Sequence, residues 1–204
     1  MMRVDVRATL LLRRARRIGR ALGRDTRATA AVETALILPV ALTMLALVIF
    51  GAEAFDAQRK VTLTARTATD LITQEMPQYP SGKPSIAQSN VVNDLSFAAF
   101  VIRPFDPSNL SMVASEVQIN SDETHATVIW SQAYNGATAR TVSSSFTLPI
   151  GLGTGQKNNY FVLGEVYYAF TPFSLFTQLA ALTLHDSIYL TPRASPSLNL
   201  LVGQ

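Results

Sequence analysis

The chain has 204 residues and no cysteine, which excludes disulfide frameworks, thiolate nucleophiles and Cys-ligated zinc. It has two histidines, His125 and His185, which are too few for a multi-histidine metal site. The net charge of +3 is unevenly distributed, because residues 1–28 hold nine arginines and two aspartates, a local charge of +7, and the rest of the chain carries −4. Only 15% of the residues are charged, against about 25% in an ordinary soluble domain, and this composition indicates contact with a membrane.

An uncharged stretch of 19 residues, 34–52, lies between Glu33 and Glu53. A helix rises about 1.5 Å per residue, so the stretch spans roughly 28 Å, close to the roughly 30 Å hydrocarbon core of a bilayer. It lacks the polar stripe of a buried soluble helix, and membrane helices tolerate a proline such as Pro39. We therefore predict one transmembrane helix running from Thr34 to Ala52.

Basic residues are more numerous before this span than after it. Residues 13–32 carry seven arginines, whereas residues 54–73 carry three basic residues. The positive-inside rule then places the N-terminus in the cytoplasm and residues 76–204 in the periplasm or outside the cell. This topology explains the arginines of the leader, residues 1–28, which can also contact anionic membrane lipid. Because no aromatic residue is interleaved among them to stack on bases, we predict no nucleic-acid partner.

The helical pattern continues beyond the span and becomes amphipathic. Apolar residues recur at steps of three and four, and no Gly or Pro interrupts residues 52–76. The apolar stripe consists of Ala54, Ala57, Val61, Ala65, Ala68 and Ile72. We predict one long helix over residues 29–75, half in the membrane and half lying on a soluble domain.

A loop rich in proline, residues 77–84, ends this helix. We expect Ser85 to cap a second helix that runs to about Val101 and ends at Arg103-Pro104. Alternating and β-branched residues then predict strands over residues 112–119, 126–134, 160–170 and 182–190. Residues 135–159 are predicted to form a long loop with one short strand at 141–148, and residues 173–181 a short helix or irregular connection. The prediction for residues 76–204 is thus an α+β domain with an antiparallel sheet.

No catalytic constellation is visible in this sequence. His185 and Asp186 are neighbours in a predicted strand, so their side chains point to opposite faces and cannot form a relay. The glycine-rich residues 151–157 lack the spacing of a phosphate-binding loop, and Asp122 and Glu123 are predicted to lie at a solvated hairpin tip. We expect no enzymatic activity, no cofactor and no metal site.

Residues 26–39, Thr-Arg-Ala-Thr-Ala-Ala-Val-Glu-Thr-Ala-Leu-Ile-Leu-Pro, resemble the N-terminal signature of the TadE-like family. These proteins are pseudopilins or minor pilins of the tight-adherence (Tad, Flp-type) pilus system of bacteria and archaea. Residues 166–172 and 184–189, followed by Thr191-Pro192-Arg193, are similar to the final strand pair of the family. The two matches lie about 130 residues apart in the expected order and involve both the helix and the sheet.

The resemblance implies a role in assembly of Tad pili and so in surface adherence, with other pilins, the Tad assembly machinery and a prepilin peptidase as partners. The peptidase would cut between Ala28 and Thr29, on the cytoplasmic side, which makes Glu33 the fifth mature residue. A carboxylate four residues after the new α-amine can offset that amine in the membrane, and in pilin filaments the amine is commonly that of a neighbouring subunit. Glu33 is therefore expected to be an assembly contact.

Two other readings of the chain stay open. In the first, Ala52-Glu53-Ala54 is a signal-peptidase site that releases a secreted domain from Phe55. In the second, the chain is a single-span membrane protein whose outer domain binds a partner unrelated to pili. The domain would offer a protein-binding surface in any of these readings, although its aromatic residues Trp130, Tyr167 and Tyr168 are expected in the core rather than at an interface.

Overall fold

The computed structural model of this chain describes residues 26–80, 82–171 and 182–201. The chain has the predicted class, a long apolar N-terminal helix followed by an α+β domain with an antiparallel sheet. It divides into two compact units, Met1–Gly51 and Ala52–Gln204. The predictions for most of the basic leader and for the connection at residues 173–181 lie outside the described residues.

Helix α1 spans Thr26–Gln74 and confirms the predicted long helix. In the first unit its described side chains are exposed or half-buried. In the second unit the predicted stripe faces the core from Ala57 to Ile72, and the whole stripe is buried apart from the half-buried Ala54. Three threonines, Thr64, Thr69 and Thr73, are buried as well, and each hydroxyl donates to a carbonyl of its own helix. The buried face is therefore wider than its apolar residues indicate.

The segment after α1 differs from the prediction in one respect. Residues Ser85–Ala87 form a strand, β1, and helix α2 begins only at Gln88 and runs over Gln88–Ala98. Ser85 is not a helix cap: the cap position is Ala87, which has no side-chain hydrogen bond. The prediction failed because β1 pairs with residues more than 100 positions later, which no local pattern reveals. Two short 3-10 helices, Ala99–Ile102 and Pro107–Asn109, follow.

Five strands of the described residues form the main sheet: β2 (Leu110–Ile119), β3 (His125–Tyr134), β4 (Ser145–Thr147), β5 (Tyr160–Phe170) and β6 (Leu182–Leu190). They lie in the order β4-β3-β2-β5-β6, and every neighbouring pair is antiparallel. Four of these strands match the predictions, and the short strand expected at residues 141–148 is present in part.

Each face of this sheet is covered by a different part of the chain. The second half of α1 lies on one face, where a Cβ placed on Gly164 would be only 2.0 Å from Thr69 Oγ1. The loop 135–159 lies on the other face and adds Leu148 to a core cluster with Val117 and Phe161. The last described residues form a strand that was not predicted, β7 (Asn199–Leu201), which pairs with β1 in parallel.

Candidate functional site

The feature most directly connected with function is the first part of α1. None of its most apolar 18-residue stretch is buried in the structure. Side chains such as Leu36, Val48 and Ile37 are between 58% and 70% exposed. A contiguous apolar surface of this extent requires an apolar environment. The helix is long and apolar enough to cross a membrane, a test that a signal sequence also meets.

The predicted assembly residues lie at the start of this helix. The Ala28–Thr29 peptide bond lies in the first turn of α1, and Glu33 follows one turn after Thr29 with its side chain exposed. Residues four apart on a helix are neighbours on one face. The structure thus brings the predicted cleavage position and the carboxylate to the same side of α1.

Threonines and one proline shape the backbone of the apolar segment. Thr34 Oγ1 donates to the carbonyl of Ala30 at 2.8 Å, and Thr43 Oγ1 donates to the carbonyl of Pro39 at the same distance. Pro39 cannot donate a backbone hydrogen bond, yet α1 continues through it. The hydroxyls are satisfied within the helix, so neither threonine exposes an unpaired donor to an apolar environment.

The predicted end of the span coincides with the boundary between the two units, Gly51 and Ala52. Ala52, Glu53 and Phe55 are exposed, and the first fully buried residue of the helix is Ala57. A cut before Phe55 would therefore remove none of the fully buried helix residues.

The segment that follows β6 is bonded to α1. After β6, the backbone N–H of Arg193 donates to the carbonyl of Thr73 at 2.9 Å, and its guanidinium pairs with the carboxylate of Asp70. The Thr191-Pro192-Arg193 sequence thus contacts the last turn of the long helix. Arg193 had no assigned role in the sequence analysis, since a surface ion pair over 123 positions leaves no local signal.

A second ion pair holds the loop 135–159 on the other face of the sheet. Arg140 Nε donates to Glu165 Oε2 at 2.6 Å and Nη2 to Oε1 at 2.8 Å, a bidentate pair. The Glu165 side chain is only 7% exposed, and the guanidinium also lies 4.5 Å from the centre of the Phe146 ring. Hydrogen bonding to this carboxylate raises the pKa of Arg140.

Two further carboxyls are buried without a basic partner among the described residues. Burial raises the pKa of Glu116, on the α1 face of β2, to about 7. Burial raises the pKa of Asp94, on α2, to about 6, and the nearby Glu75 carboxylate acts in the same direction. Sequence reasoning missed both, because an isolated carboxylate in an alternating strand or a helix is normally on the surface.

The aromatic residues considered for a binding surface are divided between the core and the surface. Trp130 and Tyr168 are each 4% exposed, so both belong to the core as expected. Tyr167 is half-buried, and its ring stacks on that of His185 with the centroids 4.4 Å apart. Tyr167 was also expected in the core, and its partial exposure corrects that expectation: of the three aromatic residues it is the one that a partner could reach.

The described residues, 26–80, 82–171 and 182–201, contain no group of three potential metal ligands. The closest acidic and histidine side chains are at the predicted hairpin tip, where His125 Nδ1 lies 2.6 Å from Asp122 Oδ2. This contact lowers the pKa of Asp122 to about 2; Asp122 is exposed and His125 is half-buried. Residues 151–157 form successive turns between two strands, as expected for a loop.

Comparison with known proteins adds no relative to this description. No family model, no curated protein and no solved structure matches the chain.

Proposed function

We propose that this chain is a TadE-like pseudopilin or minor pilin that acts in the assembly of Tad pili and so in surface adherence. The observation that carries the proposal is a single continuous helix, α1, that begins with the signature residues 26–39 and continues through an exposed uncharged segment. The same helix then lies on the antiparallel sheet of a small domain. One helix that joins a membrane segment to a domain core is the arrangement that the resemblance implies.

In this proposal the chain crosses the inner membrane once, with residues 1–28 in the cytoplasm and the α+β domain in the periplasm or outside the cell. The seven arginines of residues 13–32 support this orientation. A prepilin peptidase removes the leader at the Ala28–Thr29 bond and creates an α-amine at Thr29. The partners are membrane lipid, other pilins and the Tad assembly machinery, and the chain itself is not an enzyme.

Glu33 then acts as an assembly contact. A carboxylate inside a membrane is costly unless it meets a positive group. The new α-amine supplies that charge, either within one chain or from the next copy, and so sets the register between packed helices. The exposure of Glu33 on α1 leaves it accessible to a neighbouring helix.

The mature N-terminus tests the proposal. The protein would be recovered from membranes of its native host, and its mass and first residue determined. A start at Thr29 supports pilin-type processing. A start at Met1 contradicts processing and leaves an anchored protein, and a start at Phe55 contradicts the pilin assignment altogether.

A matched pair of variants tests the role of the carboxylate. Glu33→Gln is expected to abolish or strongly reduce pilus output while the protein stays in the membrane. Glu53→Gln removes an equally exposed carboxylate from the other end of the uncharged segment and is expected to leave pilus output unchanged. Normal pili from the Glu33→Gln strain would refute the proposed contact.

The alternative is a binding domain that is secreted after signal-peptide cleavage or held by a single span, with no connection to pili. One observation favours the secreted form: the fully buried face of α1 begins at Ala57, after the Ala54–Phe55 bond. Cleavage there would leave the domain core intact. The same N-terminal measurement separates the two functions.

A further inference from the structure

The last described segment, residues 193–201, crosses the domain as a strap, and we refer to it as the C-terminal strap. Its attachments are few and specific. Arg193 holds its beginning on α1, and three residues of β7 pair with β1 at its end. Between them lies Leu198, which is completely buried. A segment attached at so few points can open locally without unfolding the sheet.

Two side chains of the sheet grip the backbone of Leu198. The Leu198 N–H donates to Glu116 Oε1 at 2.5 Å, and the Trp130 indole N–H donates to the Leu198 carbonyl. Glu116 and Trp130 are directly opposite each other on β2 and β3. The backbone N–H of Leu198 is therefore satisfied by the Glu116 carboxyl, and its backbone carbonyl by the Trp130 indole.

The hydrogen bond between Glu116 and the strap uses one of the two carboxyl oxygens. Glu116 is completely buried, and its second oxygen, Oε2, has no hydrogen-bond partner in the structure. A protonated carboxyl is neutral and tolerates this position, whereas an ionised one places an unpaired charge in the core. Opening of the strap would relieve that cost, because the Leu198 N–H is bonded to this carboxyl and its departure would admit water there.

No charged group compensates the ionised form. Burial raises the pKa of Glu116, the Leu198 N–H and the Trp130 indole act against that shift, and no charged residue contributes to it. Among the described residues of the surrounding elements, no ionisable side chain forms a hydrogen bond or an ion pair with Glu116. These side chains are Glu53, Asp56, Arg59, Lys60, Arg66 and Asp70 on the domain half of α1, Asp94 on α2, His125 and Tyr134 on β3, Tyr160, Glu165, Tyr167 and Tyr168 on β5, and Arg193 in the strap.

We propose that Glu116 is a pH-sensitive latch for the C-terminal strap, which is seated over the sheet when the carboxyl is protonated and opens when it is ionised. Opening frees Leu198, uncovers the Trp130 indole and exposes the edge of β1 that β7 occupies. The device is a property of the folded domain and does not depend on the pilus assignment.

Hydrogen exchange of the full-length chain in detergent micelles tests the latch. Protection factors, corrected for the intrinsic pH dependence of exchange, are measured for the strap and, as an internal reference, for β2. Because each unit of pKa difference is a factor of ten, opening of the strap should increase about tenfold per pH unit from about pH 5 to pH 7 and then level off. β2 should remain protected throughout.

Three variants separate the latch from general destabilisation. Glu116→Gln should make strap protection independent of pH. Asp94→Asn, the matched control, removes the other unpaired buried carboxyl and should leave the pH dependence of the strap unchanged. Trp130→Phe removes the indole donor and should speed exchange of the strap at every pH with the same slope.

A pH-independent strap in the wild type, or a persistent slope in Glu116→Gln, would overturn the proposal. If Glu116→Gln does not fold, the wild-type and Trp130→Phe curves decide, because loss of the slope in Trp130→Phe contradicts a latch based on the carboxyl. Trp130 is the only tryptophan of the chain. Its quenching by acrylamide should therefore increase over the same pH range in the wild type, and constant quenching would also count against the latch.

Discussion

The contact between α1 and the sheet at Gly164 provides a sharp test of the packing of the domain. Gly164, in the middle of β5, faces Thr69 of α1, and a Cβ at this position would lie 2.0 Å from Thr69 Oγ1 and 3.5 Å from the carbonyl oxygen of Ala65. Without a clash, replacing glycine by alanine inside a strand stabilises by about 0.5–1 kcal/mol. The Gly164→Ala substitution should therefore decrease the free energy of unfolding if this contact is present and increase it if the contact is absent.

The expected result is destabilisation. Overpacking a well-filled core costs about 1–3 kcal/mol, and a 2.0 Å approach requires movement of the side chain or of α1. We expect the free energy of unfolding to decrease by about 2–3 kcal/mol. Thr69→Ala removes the clashing oxygen and leaves the Cβ of residue 69 at 3.3 Å and the carbonyl oxygen of Ala65 at 3.5 Å from the new methyl. The double variant should then recover at least about 1 kcal/mol relative to the sum of the single variants.

The assay is urea unfolding of the full-length chain in detergent, followed by the fluorescence of Trp130. Thr69→Ala alone is the reference, since its hydroxyl bonds only within α1, to the carbonyl of Ala65 at 2.8 Å. A Gly164→Ala protein as stable as the wild type, or strictly additive single variants, would refute the packing described for this crossing.

Three further outcomes are expected from the same assay. Arg140→Ala leaves the buried Glu165 without its ion-pair partner, although the Tyr167 hydroxyl still donates to it, and should cost about 3–5 kcal/mol, whereas the double variant Arg140→Met/Glu165→Gln should recover most of that loss; equal stability of the single variant and the wild type would contradict the buried pair. Arg193→Ala breaks a partly exposed pair with Asp70 and should cost no more than about 1 kcal/mol, so a much larger loss would contradict this assignment. Because the pKa of Asp94 is raised from 3.8 to about 6, its contribution to stability is complete below pH 3.8 and is lost as the pH rises through about 6; the stability of Asp94→Asn relative to the wild type should therefore increase by about 2 kcal/mol between pH 4 and pH 7, and a stability difference that does not change with pH would contradict the burial of this group.

Most of the secondary structure could be predicted because its causes are local. The uncharged stretch of α1 and its amphipathic continuation are periodic over dozens of residues. The alternation of β2 and β3 and the aromatic composition of β5 similarly determine strands of ten or eleven residues. The candidate site residues 28, 29 and 33 belong to the same category, because their spacing within one helix follows from the sequence alone.

The failures involve residues that are far apart in the chain. Serine is a residue type that often caps helices, yet Ser85 lies in a strand because Asn199 pairs with it from the other end of the domain. The three residues of β7 are too few for any pattern. Their pairing is decided by burial of Leu198, an event that depends on the completed sheet.

The sequence by itself determined the long helix, its uncharged segment, the strands β2, β3, β5 and β6 and the absence of cysteine chemistry, since each follows from composition or from a period of two to four residues. Only the tertiary structure decided which partners the individual buried polar groups meet. Glu116 and Glu165 look alike in the sequence, both in the middle of alternating strands. Glu165 pairs with the guanidinium of Arg140, 25 positions earlier, whereas Glu116 accepts a hydrogen bond from the backbone N–H of Leu198, 82 positions later, so the roles of the two carboxyls diverge. Burial and charge compensation depend on which distant segments are brought together, and that is a property of the fold rather than of any local segment.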